Sequence, residues 1–242
     1  MDEIVEAALR KWPDVPACHG WLALDARGDW YLRDAQSQAA GPFPAIKGSR
    51  IEHDRLREFI ERNYAVDPVG RWFFQNGPQR VYVELEAAPW VWRLQDLGPE
   101  LQVRAHTGEA VRVSASWLDE SDRLFLATEL GLGIVHSQDM LLAAGAVESG
   151  AWVPQSLAFA VLPDRFGYRL RPAPTDSARK SRPAGAGSGR VAQVPTWWAP
   201  RRPMPLRQVP HRSRQRPVRR ARRTSRPPCW PCRPLRVRSR RR

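Results

Sequence analysis

Apolar positions in the first 90 residues follow two rhythms. Ile4, Val5, Ala8, Leu9 and Trp12 recur at spacings of one, three and four, which places them on one face of a helix over residues 2–12. Asp2, Glu3 and Glu6 stand at its start and Arg10 and Lys11 at its end, the order that suits the helix dipole. Pro13 disfavours continuation past Trp12. Residues 21–24 and 30–32 are short apolar runs on either side of Asp25-Ala26-Arg27-Gly28-Asp29, with Gly28 available for a positive φ. They predict a β-hairpin over 20–34. A Gly/Pro/Ala-rich connector follows over 35–48. Ser49 and Glu52 read as a capping box, opening a second helix whose apolar stripe is Leu56, Phe59 and Ile60. A Glu58/Arg62 pair supports it, and Asn63 is the exit.

Trp72, Phe73 and Phe74, then Val81, Tyr82, Val83 and Leu85, predict a second hairpin over 70–86. Asn76-Gly77 is a strong turn signal. A two-residue loop centred there would close through the N–H of residue 78, and Pro78 has none. The expectation is therefore a loop of three to five residues. The order helix, hairpin, helix, hairpin is a loose internal repeat. From 87 to 136 the pattern turns strand-rich, with candidates at 90–94, 101–105, 110–117, 123–128 and 133–135. Gly98-Pro99, Thr107-Gly108 and residues 119–122 punctuate them. Ser137 reads as the cap of a short helix through about Ala144, with Met140, Leu141 and Ala144 inward. Residues 151–163 are apolar and fit either structure, 166–170 read as a last strand, and Pro172 and Pro174 end the order.

The fold class this predicts is α+β. Its αββαββ front half packs helices on one face of an antiparallel sheet, and its strand-rich back half extends that sheet or forms a small second one. One globular domain covers residues 1–175, with a sub-boundary near 87–90. Eight of the eleven tryptophans fall in that domain, a large apolar payload read as core packing.

Charge divides the chain at the same place. Residues 1–175 carry 18 Lys and Arg against 24 Asp and Glu, a net −6; residues 176–242 carry 21 against one, a net +20. The second segment has no acid beyond Asp176 and proline every few residues. It reads as a disordered basic tail that cannot offset its conformational entropy by burial. Three readings fit that composition: an arginine-rich arm for nucleic acid, a solvated interaction tail for another partner, or a GC-rich stretch translated out of frame. The start Met1-Asp2-Glu3 has neither the basic residues nor the apolar run of a secretory signal, and no stretch is long enough to span a bilayer. Both point to the cytosol and away from the membrane.

The candidate chemistry is sparse. Cys18, Cys229 and Cys232 make no disulfide framework. Cys229-Trp230-Pro231-Cys232 lies in the basic tail without a second ligand pair for zinc. Cys18-His19 shares no ligand spacing with His53, His106 or His136, so neither metal nor cofactor is expected. Gly185-Ala186-Gly187-Ser188-Gly189-Arg190 lacks phosphate-loop spacing, and Gly131-Leu132-Gly133 is too short for a dinucleotide fingerprint. Asp119, Glu120 and Asp122 read as a solvated acidic turn. The most informative cluster is the second hairpin, where Gln75, Asn76, Gln79 and Arg80 gather polar side chains around one turn next to Trp72. They form a candidate recognition patch for a protein strand or a small polar ligand.

Residues 11–34 (KWPDVPACHGWLALDARGDWYLRD) and 70–86 (GRWFFQNGPQRVYVELE) resemble a family of small bacterial proteins catalogued as a domain of unknown function. The resemblance covers roughly the first 145 residues and implies a single-domain bacterial cytosolic protein with no catalytic residues to carry over. The functional expectation is a non-catalytic binding or regulatory module. An enzyme with a site assembled from distant residues is the alternative, which a cleft holding titratable groups within hydrogen-bond reach of each other would favour. Nucleic-acid binding through the tail is a third reading.

Overall fold

A computed structural model of the chain describes residues 1–98 and 101–174. The readings of the basic tail, of Gly185 to Arg190 and of Cys229 and Cys232 lie outside the described residues. The front half forms a six-stranded sheet in the order β3-β2-β1-β6-β5-β4, from β1 (Cys18–Leu24), β2 (Trp30–Leu32), β3 (Ser49–Arg50), β4 (Tyr64–Val66), β5 (Trp72–Asn76) and β6 (Gln79–Leu85). Three helices accompany it: α1 (Glu3–Lys11), α2 (Ala35–Ala40) and α3 (Asp54–Arg62). Both hairpins are present. They meet through β1 and β6, which run parallel, so the sheet is mixed where an antiparallel one was expected. Side chains alternate with period two. Leu22, Leu24, Trp72, Phe74, Val83 and Leu85 enter the main core with Ile60 of α3, while Ala23, Phe73 and Tyr82 are buried on the other face.

The back half builds a second sheet, ordered β13-β10-β11-β12-β7-β8-β9. Its strands are β7 (Trp90–Asp96), β8 (Leu101–Ala105), β9 (Ala110–Val111), β10 (Val113–Leu118), β11 (Leu124–Thr128), β12 (Gly131–Val135) and β13 (Gln155–Ser156). Only Arg112 separates β9 from β10, yet β9 pairs with β8 and β10 with β11, at opposite ends of the strand order. One bent strand thus links the two ends of the sheet, which curls into a small open barrel held at its middle by the parallel β7–β12 pair, with β13 on the outer edge of β10. Trp92 fills it, fully buried, its indole N–H donating to the Leu126 carbonyl at 2.9 Å. Tyr64 joins the two sheets, its ring centroid 5.3 Å from Trp30, 4.7 Å from Trp72 and 5.8 Å from Trp90.

Several local expectations are corrected. Residues 35–48 hold α2, capped by the Asp34 carboxylate, which accepts from the Ser37 N–H. The Ser49/Glu52 capping box does not form. Ser49 and Arg50 pair with β2, and the imidazole of His53 caps α3 instead by accepting from the Leu56 N–H. The second hairpin turns in two residues, not three to five. Asn76 pairs with Gln79, so the turn is Gly77-Pro78. Shifting it one residue gives Gly77 the positive φ of 55° and puts Pro78 where no N–H is needed. His136, not Ser137, caps the short 3-10 turn Ser137–Asp139, which runs into α4 (Met140–Glu148). Ala143 and Ala146 face inward there, while Leu141 is 85% exposed. Residues 166–170 are not a strand; they follow α5 (Leu162–Arg165) as an extended strap. The Arg169 N–H donates to Gly70, and the Leu170 carbonyl accepts from the Leu85 N–H.

One turn design recurs. Asp25, Asp67 and Asp119, all buried, each open a five-residue turn whose first and fifth residues are hydrogen-bonded. In each, Oδ1 of the aspartate accepts the N–H groups of the third and fifth residues at 2.9–3.1 Å. The fourth residue has positive φ: Gly28 and Gly70 at 81°, and Asp122 at 56°. Asp122 thus occupies a position where glycine carries no steric penalty. Asp122→Gly is expected to raise stability by about 0.5–1 kcal/mol in urea unfolding; an unchanged or lowered midpoint contradicts this.

Candidate functional site

The β1–β2 turn is the piece of the front sheet that seats on the barrel. At Gly28 a Cβ would lie 3.3 Å from the Cβ of His106 and 3.7 Å from that of Val91, so the turn approaches as closely as a glycine allows. Beside this contact lies a polar cleft of about 520 Å³ between the two sheets. The front sheet supplies Asp25, Arg27 and Asp29 from the turn, Tyr31 from β2, Lys47 from the connector and Arg50 from β3. The barrel side supplies Arg93 from β7 and His136 and Gln138 from the 3-10 turn.

All the charged groups of the lining but Arg27 are anchored by a specific contact. Asp25 accepts two backbone N–H groups on Oδ1, while Oδ2 takes Lys47 at 2.8 Å and the Tyr31 hydroxyl at 3.2 Å. Lys47 also pairs with Glu86 at 3.0 Å. Arg50 pairs with Asp29 at 2.7 Å. Arg93 grips Asp139 through Nε at 2.7 Å and Nη2 at 3.2 Å, and the Leu94 N–H donates to the same carboxylate. Arg27 is exposed and its guanidinium makes no ion pair among the described residues. His136 is buried except toward the cleft. Its Nδ1 accepts from the Gln138 N–H at 3.1 Å, so the neutral ring carries its proton on Nε2.

These contacts fix the protonation states. Burial pushes the Asp25 carboxyl up, but the hydrogen bonds from Lys47, Asp29 and Arg27 outweigh it and hold it below its ordinary value. Burial lowers Lys47, yet Asp25 and Glu86 leave it raised. Burial and the Asp25 charge raise Tyr31. Burial, helped by Arg93, lowers His136. At neutral pH the cleft holds a carboxylate, an ammonium, a phenol and a neutral imidazole, each pushed away from the range in which it would exchange a proton.

A model of the DUF2944 family, described as "Protein of unknown function (DUF2946)", matches residues 1–173. The chain belongs to the DUF2944 family. The match carries the family domain beyond residue 145 to include α4, α5 and the strap. No curated protein matches this DUF2944 member. Among solved structures it is similar to a DUF1285 family protein from Silicibacter pomeroyi DSS-3, at 11% identity and a TM-score of 0.38, covering 59% of this chain and 83% of that one. A DUF1285 family protein from Shewanella baltica OS155 is similar at 17% identity and a TM-score of 0.37, covering 52% of this chain and 91% of that one.

The residues singled out on the second hairpin are spread apart. Gln75, Asn76 and Gln79 gather around the Gly77-Pro78 turn. Gln75 is fully buried, its amide donating to the Gly77 carbonyl at 2.9 Å, and Gln79 donates to Pro16 at 3.1 Å. Trp72 points into the core from the far end of β5, and the exposed Arg80 lies over the Phe73 ring at 4.5 Å. Cys18 is half-buried, its thiol pushed up by burial. The neighbouring His19 stacks on Tyr82 at 4.5 Å and contacts the Pro172 carbonyl. Asp119 is the buried first residue of its turn and pairs with Arg123 at 2.6 Å, while Glu120 accepts from the Phe159 N–H. Among the described residues no group of three or more His, Cys, Asp or Glu side chains is placed to hold a metal, and no helix is long and apolar enough to cross a membrane.

Proposed function

We propose that this protein is a non-catalytic binding module of the bacterial cytosol that takes a small polar ligand in the cleft between its two sheets. The observation that carries this reading is the engagement of Asp25, Lys47 and the Nδ1 of His136 within the protein. Tyr31 and Lys47 do each lie within hydrogen-bond reach of Asp25, which favours the enzyme alternative. A general base needs a free lone pair and an affinity for protons matched to the working pH. Asp25 has both oxygens engaged and a lowered affinity, Lys47 is held charged, and the Nδ1 lone pair of His136 is committed to the Gln138 N–H. A wall whose acid–base groups are committed in this way recognises a ligand without reacting with it.

The test is a thermal-unfolding screen of the full chain against small polar metabolites, followed by recovery of each hit. A ligand at about a hundred times its Kd adds about 2.7 kcal/mol, which raises the midpoint by roughly 5–10 °C in a domain of this size. The shift is expected to vanish in Gln138→Ala, and the ligand is expected back chemically unchanged. Turnover of the hit overturns the reading, as does a shift that Gln138→Ala leaves intact.

A further inference from the structure

Resting on that reading of the cleft, we infer that its ligand is a phosphorylated polyol or sugar, the phosphate held between Arg27 on the front sheet and His136 and Arg93 on the barrel side. The argument is an inventory of donors and acceptors. Both oxygens of Asp25 are taken from within the protein, and Asp139 is filled by Arg93 and the Leu94 N–H. Asp29 has given one oxygen to Arg50. The groups left without partners among the described residues are mainly donors: the whole guanidinium fork of Arg27, the remaining N–H groups of Arg50 and Arg93, and the Nε2–H of His136. A ligand that completes this wall must bring acceptors on one compact group. A phosphomonoester presents several oxygens and negative charge, and guanidinium forks meet it with charge-assisted hydrogen bonds.

The placement of the donors supports the same conclusion. Arg27 leaves the β1–β2 turn, Arg93 leaves β7, and His136 sits at the start of the 3-10 turn. No hydrogen bond or ion pair among the described residues joins the front-sheet members of the lining to its barrel members. A small anion at this point bridges two surfaces that otherwise face each other across solvent.

The rest of the lining says what the phosphate is attached to. The cavity of about 520 Å³ leaves room for an organic remainder beside the anion. Its other walls are the Gln138 amide, the Tyr31 hydroxyl and the second oxygen of Asp29, which suit hydroxyl groups and offer no apolar floor. A nucleobase needs a flat face to stack on. Of the two aromatic rings in the lining, Tyr31 is already flanked by Lys47 at 5.4 Å and Phe43 at 6.5 Å, and the His136 imidazole is buried.

The experiment is calorimetric titration of the full chain with glycerol phosphate at about 0.15 M salt, where long-range attraction to exposed arginines is largely screened. Glycerol, inorganic phosphate and adenosine monophosphate are run beside it. Arg27→Gln, His136→Gln and, as a control outside the cleft, Arg80→Gln are compared with the parent chain; all carry the same C-terminal segment. Glycerol phosphate is expected to bind more tightly than inorganic phosphate, and adenosine monophosphate no more tightly than inorganic phosphate. Arg27→Gln and His136→Gln are each expected to weaken glycerol phosphate by about tenfold or more, and Arg80→Gln to leave it unchanged. Equal loss in Arg27→Gln and Arg80→Gln, or no measurable binding, overturns the inference. Glycerol binding as tightly as glycerol phosphate, with dependence on His136, overturns the anion while leaving the cleft as the binding site. Release of inorganic phosphate during the titration would instead overturn the non-catalytic reading and leave the ligand class standing.

Discussion

Replacing His106 with glutamine is expected to remove about 3 kcal/mol of acid sensitivity from this fold. His106 follows β8 and is half-buried, its ring lodged among Trp30, Tyr64 and Trp90 at centroid distances of 6.0, 6.2 and 5.7 Å. Its Nδ1 accepts the Val91 N–H at 3.3 Å and its Nε2 has no partner among the described residues. Burial lowers its pKa to about 4, whereas an unfolded chain takes up the proton near 6.5. The folded state therefore binds fewer protons than the unfolded one between these values, and stability falls as pH falls across that window. The contribution is fully present above about pH 6.5 and gone below about pH 4, a loss of about 3 kcal/mol at ~1.36 kcal/mol per unit. Glutamine can still accept from Val91 but cannot take up a proton. Urea unfolding of both chains from pH 7 to about pH 4 reads the difference, and parallel stability curves would sink the assignment.

Gly133→Ala is expected to be among the most damaging single-methyl additions in the chain. A Cβ at Gly133 would lie 2.5 Å from both Cε2 and Nε1 of Trp92 and 2.7 Å from the Cβ of Trp90. The β7–β12 pair holds these residues in register, Gly133 beside Trp90, so β12 cannot move away without breaking the parallel junction of the barrel. Overpacking of a filled core costs about 1–3 kcal/mol, and a clash with a fully buried indole belongs at the upper end. The double substitution with Trp92→Leu opens the space the methyl needs. In denaturant titrations the pair is expected to cost less than the sum of its members by at least about 1 kcal/mol. Simple additivity would show that the close approach is not the cause.

The strands were legible because their signals are local. Residues 101–105 alternate and end at a Thr-Gly turn, and β8 occupies that same range. The pairing of Leu101 with Asp96 joins neighbouring strands, whereas the parallel β7–β12 and β10–β13 pairs are long-range and leave no local signal. The Gly77-Pro78 turn departs from the expected loop because the proline, not the Asn-Gly pair, marks the second turn position. Apolar character alone points Leu141 and Ala144 inward, but α4 is apolar on most sides and its contact with β7 selects Ala143 and Ala146 instead. The cleft was not legible at all. Its members come from the β1–β2 turn, the connector, β3, β7 and the 3-10 turn, and each stretch by itself looks like ordinary solvated charge. One signal was available: an aspartate three residues before a positive-φ position recurs at Asp25, Asp67 and Asp119. Of the three, only Asp25 is followed by a second acid, Asp29, where the others carry Arg71 and Arg123 to occupy their own carboxylate. That exchange frees Oδ2 of Asp25 to organise Lys47 and Tyr31.

The strap at 166–170 gives the chain an order of assembly. The front layer leaves the ribosome first, but the Leu85 N–H and the Gly70 carbonyl find their partners only when residues 169 and 170 arrive. Between those two points the whole barrel must be synthesised. The front layer is therefore begun early and sealed late, and a nascent chain halted anywhere inside the barrel would present that unsealed edge to chaperones and proteases.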